Sequence, residues 1–305
     1  MLDPFELYDL VDDPPALDRP VLIHALTGFV DAGSGIRLAH THLLSSLEHR
    51  LIATFDIDQL FDYRSRRPPM ILEEHRWVDY RAPKVELHLV RDDGGVPFLL
   101  LGGPEPDLQW ERFVSAVVTL VERFDVRLTV GLNAIPMAVP HTRPTGVTAH
   151  ATRPELLVGH DAWLHRVQVP ASIGNLLEYR LGQRGRDALG FAAHVPHYVA
   201  QLEYPSAAEQ LLTAVCLNTG LLLPVDRLRT AAELVRIDID RQVAETTEAT
   251  EMVRSLEEQY DAFARGSRGD NLLAGATGHL PTADEIAAEL ERFLAEQHKP
   301  GENAG

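Results

Sequence analysis

The run Pro20 to Thr27, PVLIHALT, reads as a buried strand, and the residues directly after it narrow the fold sharply. Gly28-Phe-Val-Asp-Ala-Gly-Ser-Gly35 comes at once and opens a helical pattern, with Ile36, Leu38, Leu43, Leu44 and Leu47 at roughly helical spacing. A strand, a glycine loop and a helix in direct succession form the building unit of an α/β sheet. The order recurs at Pro97 to Leu101, followed by Gly102-Gly-Pro-Glu-Pro-Asp107 and a helix from about Leu108 to Phe124. Trp110, Phe113, Val114, Val117, Leu120 and Val121 make the apolar face of that helix, and Asp107 is its expected N-cap. It recurs again where the apolar segment Val126 to Gly131 runs into the irregular passage Leu132 to Thr152. The expected class is therefore α/β, a mostly parallel sheet flanked by helices with a C-terminal helical extension.

Between these units a second strand is expected at Leu51 to Ile57 and an exposed loop at Gln59 to Pro69. A hairpin should join Val85–Val90 to Pro97–Leu101 through the turn Asp92-Asp-Gly-Gly95. Further on, the pattern predicts a strand near Trp163 to Val169, a helix from Ser172 to Arg186 capped by Ser172, a strand at Gly190 to Val195 and a helix from Ser206 to Asn218. Residues 1–19 read as an N-terminal arm, 20–223 as the α/β core and 224–265 as a long helix or helical hairpin. Residues 266–305 read as a flexible break, a short acidic helix and a disordered tail. Within Val225 to Phe263 the residues Ile239, Val243, Thr246, Thr250, Val253, Leu256, Tyr260 and Phe263 recur at spacings of three and four. Such a narrow seam suits either packing between copies of the chain or an intramolecular hairpin.

Composition excludes several function classes. A formal net charge of −17 with only two lysines, Lys84 and Lys299, leaves no basic cluster to displace phosphate counterions, so nucleic acid is not an expected partner. No stretch reaches the roughly 18 uninterrupted apolar residues that span a bilayer, and the acidic start MLDPFELYDLVDDPP lacks the features of a secretion signal. A cytoplasmic protein without membrane contact is the expectation. Cys216, the single cysteine, permits neither an internal disulfide nor a thiolate metal site and reads as a packing residue. There is no H-E-x-x-H, and His40 and His42 do not share a helix face, so no metal is expected. The loop at Gly28 lacks G-x-G-x-x-G and the P-loop lysine, no G-x-S-x-G elbow is present, and no cofactor is expected.

The remaining chemistry gathers in the polar corners that end the strands. In an alternating α/β fold such loops collect at the carboxyl edge of the sheet, where ligands usually bind. The candidates for a cleft or interaction site are Gly28, Asp31, Gly33, Glu105, Asn133, His141, Arg143 and His197, with Tyr198 beside the last. His141 and Arg143 lie between Pro140 and Pro144, whose fixed φ stiffens the backbone; this suits a recognition surface and a structural corner equally. No catalytic set is recognisable among these residues.

The segments PVLIHALTGFVDAGSG, LLGGPEPDLQWERF, VPHTRPTGVTAHAT and VPHYVAQLEYPSAAEQLL, in that order across residues 20 to 220, resemble the family named for proteasome assembly chaperone two, in its bacterial branch from high-GC organisms. The resemblance implies a core like that of the purine nucleoside phosphorylases, assembly into homo-oligomers, and a non-catalytic, chaperone-like role with proteasome subunits or another assembling complex as partners. The alternative is an enzyme or sensor of a nucleoside-like or phosphorylated small molecule in the strand-end cleft. Chaperones of the family often end in a hydrophobic-Tyr-X tail; the last residues here are Asn303-Ala304-Gly305, so docking by such a tail is not expected.

Overall fold

The apolar run after Pro20 forms β2 (Val21–Thr27), which lies between β7 (Pro97–Pro104) and β8 (Leu128–Met137) and is parallel to both. Val21, Ile23 and Ala25 enter one hydrophobic cluster and Leu22 and Leu26 the other. A strand covered on both faces needs apolar side chains at successive positions, which is why the run is nearly continuous. His24 interrupts it and is nonetheless buried. The computed structural model describes residues 3–28, 30–158 and 167–267.

Among the described residues the main sheet has eight strands in the order β1 (Tyr8–Leu10), β3 (His49–Phe55), β6 (Glu86–Arg91), β7, β2, β8, β10 (Ala188–Pro196) and β9 (Val147–Ala151). Pairing is parallel across β7, β2, β8 and β10, and antiparallel toward both edges. The fold is thus α/β with a mixed sheet whose centre is parallel. A separate two-stranded sheet, β4 (Met70–Glu73) with β5 (Arg76–Tyr80), has every residue exposed.

Helices α1 (Gly35–Ser46), α4 (Pro205–Thr219) and α5 (Asp226–Ala244) contribute to the cluster on one face, and α2 (Trp110–Arg123) and α3 (Ile173–Gln183) to the cluster on the other. The last described helix is α6 (Thr247–Ser267). Two compact units divide the chain, Met1–Glu257 and Glu258–Gly305, and the second is described only to the end of α6. No described helix is long and apolar enough to cross a membrane.

Several expectations need correction. Asp107 does not cap α2: that helix starts after Gln109 at φ 55, while the Asp107 carboxylate accepts from Asp62 N at 2.8 Å and pairs with Arg66 at 2.6 Å. The segment after Val126 does not stop at Gly131; it runs to Met137 because β10 pairs with it residue by residue as far as Pro196. The passage Leu132 to Thr152 is less irregular than expected, since its end forms the edge strand β9. Of the strand predicted near Trp163 to Val169, residues 163–166 lie outside the described residues, and Val167 to Val169 have no regular structure. The predicted acidic helix and the tail also lie outside them. Ser172 does cap its helix, accepting from Asn175 N at 3.2 Å.

Candidate functional site

Strands β2, β7, β8 and β10 run in one direction, so their carboxyl ends share one edge, and a cleft of about 710 Å³ opens there against β9 and the start of α3. Gly28, Glu105 and Asn133 line it together. Glu105 is buried, and its Oε1 accepts from Ile173 N at 2.5 Å, occupying the first amide of α3. A Cβ at Gly28 would overlap the Glu105 carboxyl, so the glycine makes room for the acid. Asn133 Oδ1 accepts from Ala134 N at 2.8 Å; the side-chain NH2 has no hydrogen-bond partner among the described residues.

At the cleft wall lies His24, only 5% exposed. Its ring sits between Gly131 and Gly174, where an added Cβ would come within 2.7 and 2.9 Å of ring atoms. Burial, and secondarily the charge of His150, pushes its pKa down to about 4, so the imidazole is neutral near pH 7. It forms no hydrogen bond with any described residue. His150, from β9, pairs through Nδ1 with Glu178 of α3 at 2.8 Å, and both line the cleft. Among the described residues no lysine or arginine lines it, and the remaining walls are mostly apolar.

The other predicted site residues lie elsewhere and act as joints. Asp31 caps α1, accepting from Ile36 N at 2.7 Å and Arg37 N at 3.2 Å, and burial raises its pKa. Gly33, at φ 63, donates to Ala200 O at 2.7 Å and accepts from Tyr204 N at 2.8 Å, tying the start of α1 to the segment after β10. His141 is buried, its backbone N–H donating to the Tyr198 hydroxyl at 2.8 Å. The hydroxyl also meets Nδ1 at 2.6 Å, while Nε2 faces Asp240 of α5 at 3.0 Å. In the neutral ring Nε2–H donates to the aspartate and Nδ1 accepts from the Tyr198 hydroxyl. Burial foremost pushes the Tyr198 pKa up to about 12, which keeps this donor protonated. Arg143 pairs with Glu257 at 3.0 Å, and Thr142 donates to the same carboxylate at 2.5 Å. His197 is exposed and stacks edge-on against Tyr198 at 5.4 Å. Thus His141 and Arg143 hold α5 and the first part of α6 to the body, and neither they nor His197 line the cleft.

Residues 25–243 match the model of the PAC2 family. The chain belongs to the PAC2 family. Its fold is similar to a Mycobacterium tuberculosis protein of unknown function, 47% identical, with a TM-score of 0.84 over 87% of this chain and 92% of that one. A Corynebacterium glutamicum protein of unknown function is 42% identical, with a TM-score of 0.81 over 84% and 97%. A Mycobacterium tuberculosis proteasome-assembly chaperone homologue is 27% identical, with a TM-score of 0.70 over 76% and 99%. No curated protein matches the sequence.

In this PAC2 protein, sequence reasoning missed His24, His150, Asn175 and Glu178. A signal existed for the first: one ionisable residue inside a buried apolar strand is an anomaly that demands a partner or a cavity. For the pair there was a weaker one, since Glu178 lies one helical turn beyond Gly174 and so shares its face.

Proposed function

We propose that the chain is a non-catalytic, chaperone-like interaction protein of the cytoplasm that works as a homo-oligomer and acts in the assembly of the proteasome or another multisubunit complex. Membership of the PAC2 family and the likeness to a proteasome-assembly chaperone homologue support this reading. The observation that carries it is the β4–β5 hairpin. Met70, Ile71, Leu72, Trp77, Val78 and Tyr80 are between 43% and 62% exposed on a two-stranded sheet that pairs with no other described strand. An isolated hairpin is only marginally stable in water, and contiguous exposed apolar side chains mark contact surfaces. A face of this kind is useful to a protein whose work is to touch others.

The test is to mix the full chain with purified proteasome α and β subunits and follow assembly by size-exclusion chromatography and native electrophoresis. A complex containing the chain and α subunits, or faster appearance of assembled particles, is expected. Unchanged assembly kinetics with no co-migrating complex, at equal concentrations and at several salt concentrations, would remove the proteasome from the reading.

A further inference from the structure

We propose that the cleft at the carboxyl ends of β2, β7, β8 and β10 is a binding site for an uncharged nucleoside and discriminates against the phosphorylated form. The first argument is His24. A nine-tenths-buried imidazole normally finds a hydrogen-bond partner, yet this one has none among the described residues, and it lines the cleft. Gly131 and Gly174 both leave space for it there. Because it is neutral, the ring offers one donor and one acceptor and no charge.

Two carboxamides extend the same chemistry. The NH2 of Asn133 and the side chain of Asn175 line the cleft without hydrogen-bond partners among the described residues. Together with His24 they offer a mixed donor and acceptor edge, which is what the rim of a nucleobase requires. Leu26, Leu132 and Ile135 supply apolar wall for the faces of a base, and about 710 Å³ is within the size of small-molecule sites. The Glu178 carboxylate, oriented by His150 at 2.8 Å, retains acceptor capacity suited to sugar hydroxyls.

The same surroundings reject phosphate. A helix N-terminus can hold an anion through its free amides, but here Ile173 N is taken by Glu105 and Asn175 N by Ser172 Oγ. No described lysine or arginine lines the cleft, and two carboxyl side chains do. A phosphate dianion would find two amides of the first turn of α3 occupied, no described cation beside it and two acids in the wall.

Isothermal titration of the full chain with adenosine, guanosine, cytidine and uridine, and with their 5′-monophosphates, tests the proposal. At least one nucleoside is expected to bind with a Kd below a millimolar, and its monophosphate at least tenfold more weakly. His24→Leu should weaken that nucleoside at least tenfold while leaving the unfolding midpoint unchanged or higher, because no hydrogen bond to a described residue is lost. Asn133→Leu is the second variant should His24→Leu fail to fold, with the same loss expected. The proposal is overturned by no heat from any nucleoside up to several millimolar. A monophosphate binding as tightly as its nucleoside, or undiminished binding by the folded variants, overturns it as well. None of these results bears on proteasome assembly, which is read separately.

Discussion

At the residue scale, the histidines set how this protein responds to acid. Burial foremost holds His24 and His40 at pKa values of about 4, with neighbouring histidines adding to the effect: His150 for the first, His88 and His49 for the second. In the unfolded chain both titrate near 6.5. Between these values the unfolded state binds protons that the folded state refuses, so the stability they contribute is complete above about pH 6.5 and is lost as pH falls toward 4. For fully buried His24 the whole shift corresponds to roughly 3 kcal/mol. Urea midpoints at pH 7.5, 6 and 5 should decline steadily, and less so in His24→Leu; a flat profile would contradict these assignments. The residues themselves were only partly legible. Asp31, His141 and Arg143 were recognisable as important, but a polar group at a strand end can satisfy a helix amide or a distant carboxylate as readily as a ligand. The Asp31 partner, Ile36 N, is local, whereas Asp240 and Glu257 are brought in by the fold from about a hundred residues away.

At the element scale, periodicity made β2, α2, α3 and α4 readable because each is long enough to repeat its pattern several times. β1, β9 and the β4–β5 pair escaped notice: three to five residues show too little alternation, and the edge strands β1 and β9 find their partners far away in the chain. The seam in the helical extension suits packing between copies of the chain or an intramolecular hairpin. Ile239, Val253 and Leu256 are buried within the same chain, and Ile239 joins the cluster that α4 also enters, which favours the intramolecular reading for this part of the seam. The His141 contacts to Tyr198 and Asp240 then act as a latch for α5. His141→Ala should cost roughly 2 kcal/mol, since it removes a buried ring together with its side-chain hydrogen bonds to the Tyr198 hydroxyl and to Asp240. Hydrogen exchange should accelerate in α5 before β2 and β8. An unchanged denaturation midpoint with uniform exchange would refute the latch.

At the scale of the whole molecule, the burial of Ile239, Val253 and Leu256 makes the β4–β5 hairpin a stronger candidate than the helical extension for the proposed self-association. Leu72 and Trp77 are register partners across that hairpin, 55% and 62% exposed, so a contact there would cover both at once. Aromatic side chains of this kind dominate binding energies when a partner buries them. Substituting both by aspartate leaves the buried clusters untouched and places two charges in the middle of the exposed apolar residues. Light scattering coupled to size-exclusion chromatography, on the full chain and on the Leu72→Asp, Trp77→Asp double variant, is the most direct measurement. The full chain should elute with the mass of a closed oligomer and the variant with the mass of one chain at an unchanged melting temperature; a monomeric full chain, or a variant that keeps the parental mass, would contradict the assignment of the hairpin as an interaction surface.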